Sequence, residues 1–322
     1  MRDGAEHNAD REAVEVGPRR PRDAEGVKVG FVGLGNMGGR ITRRIVAGGY
    51  SVLGYDVDPT RAAASGAASA VSPAAVAENT DIVILSLPDS PVVEAVVLGD
   101  DGILGSARSG QVVVDLSTSS PSSTQELHRR LDERGVDFVD AGISGGAAAA
   151  EQGALTIMAG GAEAALDRVR PVLDTFSARV YHMGVSGAGH TAKLLNNFLN
   201  GISLAATAEV MVAARKAGLE LHTFLDVLNN SSGVNFATLN RFPRIVDGDY
   251  LEGGLTGNLM LKDLRLYAEL ARELDVRTTT AGGCIEAFEL AAELGYGEQI
   301  SNRVVDAIGD VSGGVRLQEP PS

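Results

Sequence analysis

The reading of this chain turns on one stretch, Gly184-Val185-Ser186-Gly187-Ala188-Gly189-His190-Thr191-Ala192-Lys193-Leu194-Leu195-Asn196-Asn197. Flexible glycines give way to an apolar, Ala-rich pattern that runs past Arg215, which predicts one helix of unusual length. Lys193 and Asn197 are four residues apart, so one helical face carries an ammonium and an amide a turn apart. Before this stretch the pattern alternates between strand and helix; after it the chain reads as helix alone. A junction between two architectures is a natural place for a cleft.

The lysine stands out by scarcity. Of 28 basic residues only four are lysines: Lys28, Lys193, Lys216 and Lys262. This composition uses arginine wherever a plain surface cation will do. A lysine beside Asn196-Asn197 on a junction helix points to a need for a compact ammonium able to exchange a proton. A solvated helix lysine is the plain alternative, and the rest of the chain weighs against it.

At 322 residues the chain is long enough for two domains and a large core. Its net charge of -14, from 42 acidic against 28 basic residues, argues against nucleic acid as a partner. A small anionic substrate remains open to it, because such a site needs only local donors. The single cysteine, Cys284, cannot form an internal disulfide, so a reducing cytoplasm is the expected compartment. No run of about 18 uncharged apolar residues appears, and no membrane span is expected. The most apolar helix pattern, Gly201 to Ala214, is interrupted by Glu209. Residues 1–26 are rich in Arg, Asp, Glu and Pro and lack the apolar segment of a signal peptide. They are expected to form a disordered tail, as are residues 316–322. Between the tails the expected division is an α/β domain over 27–186 and an all-helical domain over 187–315.

Val27-Lys28-Val29-Gly30-Phe31-Val32 reads as a strand that runs into Gly33-Leu34-Gly35-Asn36-Met37-Gly38 and then a helix from Gly39 to about Ala47. This is G-x-G-x-x-G between strand and helix. Its first glycine permits the tight turn, its second lets a pyrophosphate approach the backbone, and its third lets helix and strand pack closely. The next strand, Ser51 to Tyr55, ends at Asp56, where an acid is expected on the ribose hydroxyls of a dinucleotide. Residues Gly33 to Gly38 and Asp56 are therefore the expected cofactor site. A carboxylate there repels a 2′-phosphate, which favours NAD, with NADP as the alternative because Arg61 is near.

Asp81 to Ser86 reads as a buried parallel strand. It ends at Leu87-Pro88-Asp89, where a loop borders the nicotinamide side of a bound dinucleotide. Gln111 to Asp115 is another strand, followed by Leu116-Ser117-Thr118-Ser119-Ser120-Pro121. Ser120 is the expected N-cap of a helix from Ser122 to Arg134, with Pro121 at the first helical position. Ser117 and Thr118 are left free at a strand's C-terminal end, where ligands bind in open α/β sheets. Val136 to Val139 is the next strand, ending in Asp140-Ala141-Gly142-Ile143-Ser144-Gly145-Gly146. Successive backbone N–H groups in Ser144-Gly145-Gly146 can form a nest for a carboxylate; a plain flexible loop is the alternative. Leu155 to Gly160 and Ala178 to Tyr181 read as late strands flanking a helix from Ala162 to Asp174.

The C-terminal region predicts helices over Leu221–Asn229, Phe236–Val246, Leu259–Leu274, Gly282–Leu294 and Ser301–Ile308. Lys262-Asp263 lies inside the third of these, and taken alone reads as a surface ion pair. The five histidines show no metal-ligand spacing and the one cysteine offers no site, so no metal is expected.

By these residues the chain resembles the β-hydroxyacid dehydrogenase family, which includes 3-hydroxyisobutyrate dehydrogenase and tartronate semialdehyde reductase. The resemblance runs from about Val27 to Ile308 through five places in order: Gly30 to Gly38, Asp115-Leu116-Ser117-Thr118 with Pro121, Asp140-Ala141 with Ser144-Gly145-Gly146, Gly187-Ala188-Gly189 through Lys193 to Asn196-Asn197, and Lys262-Asp263-Leu264. It implies a Rossmann-type N-terminal domain, a long interdomain helix and an all-α C-terminal domain, assembled as a homodimer or homotetramer. It implies hydride exchange between NAD(P) and a short 3-hydroxy acid or its semialdehyde. It makes Lys193 the catalytic lysine and Asn197 a substrate ligand. Ser144, Gly145 and Gly146 would hold the substrate carboxylate, and Leu87, Pro88, Thr118 and Lys262 would border the cofactor.

The chain departs from the family pattern at Gly142 (usually proline), Ala149 (usually glycine), Leu255 (usually phenylalanine) and Ile300 (near a common aspartate). These positions are expected to line or support the substrate pocket. Three rivals share the architecture. 6-Phosphogluconate dehydrogenase follows its lysine with His-Asn, where this chain has Asn196-Asn197. Imine reductases usually lack the lysine, and non-catalytic cofactor-binding relatives have lost it.

Overall fold

The computed structural model describes residues 26–318. Residues 1–25 of the expected N-terminal tail and the last four residues lie outside these. The α/β half runs β1 (Lys28–Val32), α1 (Asn36–Ala47), β2 (Ser51–Tyr55), α2 (Thr60–Ser65), β3 (Ala68–Ser69), α3 (Pro73–Asn79), β4 (Ile82–Leu85) and α4 (Ser90–Leu98). It continues through α5 (Ile103–Ser106), β5 (Val112–Asp115), α6 (Pro121–Asp132), β6 (Asp137–Ser144), α7 (Gly146–Gln152), β7 (Leu155–Gly160), α8 (Glu163–Leu173) and β8 (Ser177–Gly184). The helical half is α9 (Ala188–Lys216), α10 (Leu221–Asn229), α11 (Phe236–Asn240), α12 (Phe242–Val246), α13 (Gly257–Glu273), α14 (Ala281–Glu293) and α15 (Val304–Val311), with a 3₁₀ turn at Ser301–Arg303.

The eight strands form one sheet in the order β3-β2-β1-β4-β5-β6-β7-β8. All neighbours are parallel except β6 and β7. Ile82–Leu85 and Val112–Asp115 are buried along their whole length, as continuous apolar runs covered by helices on both faces must be. The strand order reverses between β1 and β4, which puts the topological switch point, and the crevice at the strands' C-terminal ends, beside the glycine-rich turn. One core lies on each face of the sheet, and a third fills the helical half.

The helix α9 joins the halves. By length and composition it could cross a membrane. Here it is a core helix, with its first turns against β6 and β7 and its later turns in the helical core. A Cβ on Gly189 would stand 2.5 Å from the carbonyl oxygens of Asp140 and Met158, so only glycine allows this approach. Its N-terminus is capped from outside. Asp140 Oδ1 accepts from the Gly187 N–H at 2.8 Å and Oδ2 from the His190 N–H at 2.9 Å. A carboxylate at a helix N-terminus satisfies two otherwise unpaired donors and complements the macrodipole.

Several expectations need correction. α1 starts at Asn36, so the last glycine of the turn is already helical. β6 continues through Ser144, and Gly146 begins α7, a helix the sequence reading missed because its glycines suggested a loop. The helix expected over 236–246 breaks at Arg241, since Pro243 cannot donate to the carbonyl four residues back. Residues 316–318, assigned to a disordered tail, are packed: Leu317 is 3% exposed in the helical core and Arg316 pairs with Asp310. Leu255 and Ile300 belong to that same core.

Candidate active site

At the glycine-rich turn, Gly33 has φ +90°, and a Cβ there would stand 2.3 Å from the Ser86 carbonyl oxygen. A Cβ on Gly38 would stand 1.9 Å from the Gly33 oxygen, so helix and turn touch backbone to backbone. Gly35 differs: only Arg61 Nη1, at 3.5 Å, comes near its missing Cβ. Space is thus kept over the N-terminus of α1, where partial positive charge favours a pyrophosphate. A cavity of about 80 Å³ opens there, lined by Gly35, Asn36, Arg40, Arg43 and Arg61 among others. Asp56 stands at its side. Its Oδ2 accepts from the Leu34 N–H at 2.7 Å, its Oδ1 accepts from the Asp58 N–H at 2.9 Å, and Arg61 Nη1 lies 3.5 Å from Oδ1. These features fit a dinucleotide. Met37 packs against the sheet core, and Asn36 Nδ2 donates across the domains to the Gly253 carbonyl at 2.9 Å.

On the other side of the switch point, Lys262 reaches over from α13. Its Nζ donates to the Pro88 carbonyl at 2.8 Å and the Thr118 carbonyl at 2.9 Å. Leu87, Pro88, Thr118 and Lys262, scattered over 176 positions of sequence, therefore meet at one place. Ser117 is not free as expected: its buried Oγ accepts the Leu87 N–H at 2.9 Å and so ties the two loops together. Ser120 occupies the N-cap of α6, but its hydroxyl bonds Ser122 rather than the helix backbone.

Lys193, Asn197 and Asp263 form the centre. Lys193 is 9% exposed, Asn197 3% and Asp263 1%. Asn197 Nδ2 donates to Asp263 Oδ2 at 2.5 Å, and Lys262 Nζ lies 3.2 Å from Asp263 Oδ1. Burial pushes the Lys193 ammonium down to about 8; the Asp263 charge opposes this and the Lys262 charge adds to it. Two lysines, one carboxylate and one amide leave net positive charge, which suits an anionic ligand.

Strand β6 supplies the opposite wall. Residues two apart share a strand face. Asp140 caps α9, and a Cβ on Gly142 would meet the Lys193 side chain. Ser144 follows on that same face, with the exposed Gly145 and Gly146 at φ +129° and +71° beyond it. Beneath, His190 is fully buried, with Nδ1 2.7 Å from Thr124 Oγ1 and Nε2 3.2 Å from the Asp115 carbonyl. It locks the first turn of α9 to β5 and α6. Among the described residues no group of His, Cys, Asp or Glu is placed to hold a metal.

Asp140 and Asp263 stand within the motifs of the resemblance but carry no expected role in the site, and nothing in the sequence pattern singles out His190. For Asp263 the signal was present, since it adjoins Lys262, but the pair read as a surface bridge. Only the packing of α13 on α9 reveals it as buried.

Two family profiles divide the chain at the start of α9. Residues 28–184 match the NAD binding domain of 6-phosphogluconate dehydrogenase. Residues 187–308 match the family described as NAD-binding of NADP-dependent 3-hydroxyisobutyrate dehydrogenase. The chain is 36% identical over 283 residues to 2-(hydroxymethyl)glutarate dehydrogenase of Eubacterium barkeri, covering 87% of this chain and 94% of that one. It is 34% identical over 282 residues to an NAD-dependent L-serine dehydrogenase of Pseudomonas aeruginosa, covering 84% and 94%. The crystal structure of a 3-hydroxyisobutyrate dehydrogenase from Salmonella typhimurium is similar, with TM-score 0.77 and 34% identity over 87% of this chain and 99% of that one. With the glycine-rich turn, the interdomain helix and the buried lysine already in place, these matches establish that the chain belongs to the β-hydroxyacid dehydrogenase family and is an NAD(P)-dependent 3-hydroxyacid dehydrogenase.

Proposed function

We propose that the protein interconverts a short 3-hydroxy acid of the 3-hydroxyisobutyrate type and its semialdehyde. The observation that carries this reading is the buried group of Lys193, Asn197 and Asp263, joined by the half-buried Lys262 and packed on β6 at Gly142, two residues before Ser144. The relatives named for 2-(hydroxymethyl)glutarate, L-serine and 3-hydroxyisobutyrate support it. Those three compounds share one fragment, a carboxylate and a hydroxymethyl group on the same carbon.

The bound nicotinamide supplies the hydride acceptor or donor. Everything else falls to the chain. Ser144 and the N–H groups of Gly145 and Gly146 bind the carboxylate and so fix the position of the carbinol carbon. Lys193 bonds the reacting oxygen. As the neutral amine it takes the hydroxyl proton during oxidation, and as the ammonium it returns one during reduction. An ammonium lowered to about 8 holds both forms within reach of neutral pH. Its charge also stabilises alkoxide character on the oxygen. Asn197 bonds the same oxygen or its neighbour. Asp263 is a positioning residue: it orients the Asn197 amide and balances part of the charge of the two lysines. Leu87, Pro88, Thr118 and Lys262 close the nicotinamide side. Asp56, beside the Leu34 N–H, favours NAD over NADP.

The test is a panel of short 3-hydroxy acids and semialdehydes, each with NAD(H) and NADP(H). Turnover of 2-hydroxymethyl acids, with NAD giving the higher kcat/KM, is the expected result. Failure on every hydroxymethyl acid would remove the substrate class.

A further inference from the structure

The helix α9 is rich in Ala and Leu, yet Lys193, Asn196, Asn197 and Asn200 recur at i, i+3, i+4 and i+7. These positions share one face. Seven residues of helical rise set Asn200 about 10 Å along the axis from Lys193. At the far end of this polar strip stands Arg241, at the break between α11 and α12. Its Nη2 donates to Asn200 Oδ1 at 3.0 Å and its Nη1 to Asn302 Oδ1 at 2.7 Å.

Both partners are neutral amides. Among the described residues, no carboxylate pairs with Arg241, and burial pushes its guanidinium down to about 10 with no opposing charge. Elsewhere in the same domain Arg303 rests on Asp306 and Arg316 on Asp310. Holding a half-buried cation against neutral groups costs stability. Two of its five N–H donors are used by the amides. Among the described residues its Nε has no hydrogen-bond partner, and it is not one of the fully buried atoms, so that edge of the guanidinium is open to a ligand. The planar fork suits a carboxylate bound through two hydrogen bonds. The Phe236 ring, centred 5.7 Å from the guanidinium carbon, lies beneath it.

We propose that Arg241 is the far end of the substrate site and binds a second carboxylate, so that the preferred substrates are hydroxy dicarboxylic acids. The near carboxylate lies at Ser144 to Gly146, the carbinol at Lys193 and the far carboxylate at Arg241. This rests on the hydroxymethyl-acid substrate reading above.

The experiment compares pairs of substrates. Each pair is a 2-hydroxymethyl dicarboxylic acid, with one to four methylenes before the far carboxylate, and the matched monoacid that ends in a methyl group. A phosphate monoester of matching length is the third arm. The readout is the ratio of kcat/KM for diacid over monoacid. In the unmodified enzyme that ratio exceeds ten for the best diacid. In Arg241→Gln it falls about 10–100-fold, as expected for loss of a hydrogen-bonded charge, with most of the change in KM. Arg241→Lys restores part of it. A ratio near one in the unmodified enzyme overturns the proposal whether or not Arg241→Gln folds. So does an equal loss of diacid and monoacid turnover in Arg241→Gln, which would make Arg241 a tie between α9 and the 3₁₀ turn. Preference for the phosphate monoester over every diacid overturns the carboxylate assignment. Absence of turnover on monoacids and diacids alike would instead bring down the hydroxymethyl-acid substrate reading, and the proposal with it.

Discussion

A Cβ placed on Gly142 would stand 2.5 Å from the Cβ of Lys193. Strand β6 and helix α9 meet at the lysine through a residue with no side chain, and the depth of Lys193 in the site is set there. Gly142→Ala should force the helix outward, costing about 1–3 kcal/mol as overpacking does. It should lower kcat more than it weakens NADH binding. Calorimetry with steady-state kinetics checks this; unchanged Tm and kcat would mean that α9 gives way freely.

Lys193→Met keeps stem length and helix propensity, so fold and NADH affinity should survive. The chemical step should slow by roughly 10²–10⁴-fold, the usual share of acid–base catalysis. Lys193→Arg should rescue little, because a guanidinium stays protonated and its fork does not fit the ammonium's place. Single-turnover hydride transfer, with NADH binding followed by fluorescence, separates chemistry from affinity. Turnover of Lys193→Met within a few-fold of the unmodified enzyme would leave the proton donor to be sought elsewhere.

With Lys193 lowered to about 8, kcat/KM for oxidation should rise as pH passes through about 8 and then level. The neutral amine is the base. Reduction should decline over the same range. The same shift acts on stability. Between about 8 and the ordinary value of 10.5 the unfolded chain holds the extra proton, so this group makes the fold more stable as pH rises through that window. Opposite slopes for the two directions, measured at saturating cofactor, are the decisive feature; parallel slopes would exclude Lys193 as the titrating group.

The Asp263 charge holds Lys193 up against burial. Asp263→Asn should therefore move the oxidation limb to lower pH, as well as loosening Asn197. A purely structural carboxylate would lower activity without moving the limb, so the pH profile rather than the rate decides.

Asp56 holds the Leu34 N–H and lies 3.5 Å from Arg61 Nη1. Asp56→Asn removes the charge that would repel a 2′-phosphate and frees Arg61. The NAD to NADP ratio of kcat/KM should shift toward NADP by at least about tenfold, the order of one charge-assisted hydrogen bond. If the unmodified enzyme already prefers NADP, the argument from Asp56 fails and Arg61 dominates.

Local pattern sufficed for much of this protein. The strand before Gly33-Leu34-Gly35-Asn36-Met37-Gly38 and Asp56 after the next strand declare a dinucleotide fold, because a backbone that must touch phosphates tolerates few residue types. The apolar run from Ala188 onward declares the long helix, and the rarity of lysine singles out Lys193. What neighbours a residue across the fold was not legible. Local pattern leaves Ser117 available and Asp263 exposed, yet each is buried against an element distant in sequence: Leu87 lies thirty residues from Ser117 and Asn197 sixty-six from Asp263. The α7 helix, the break at Arg241 and the docking of Leu317 are likewise decided by packing. Periodicity records which face of an element is apolar. Which polar group meets which across a cleft depends on how the elements cross, and only the tertiary structure sets that.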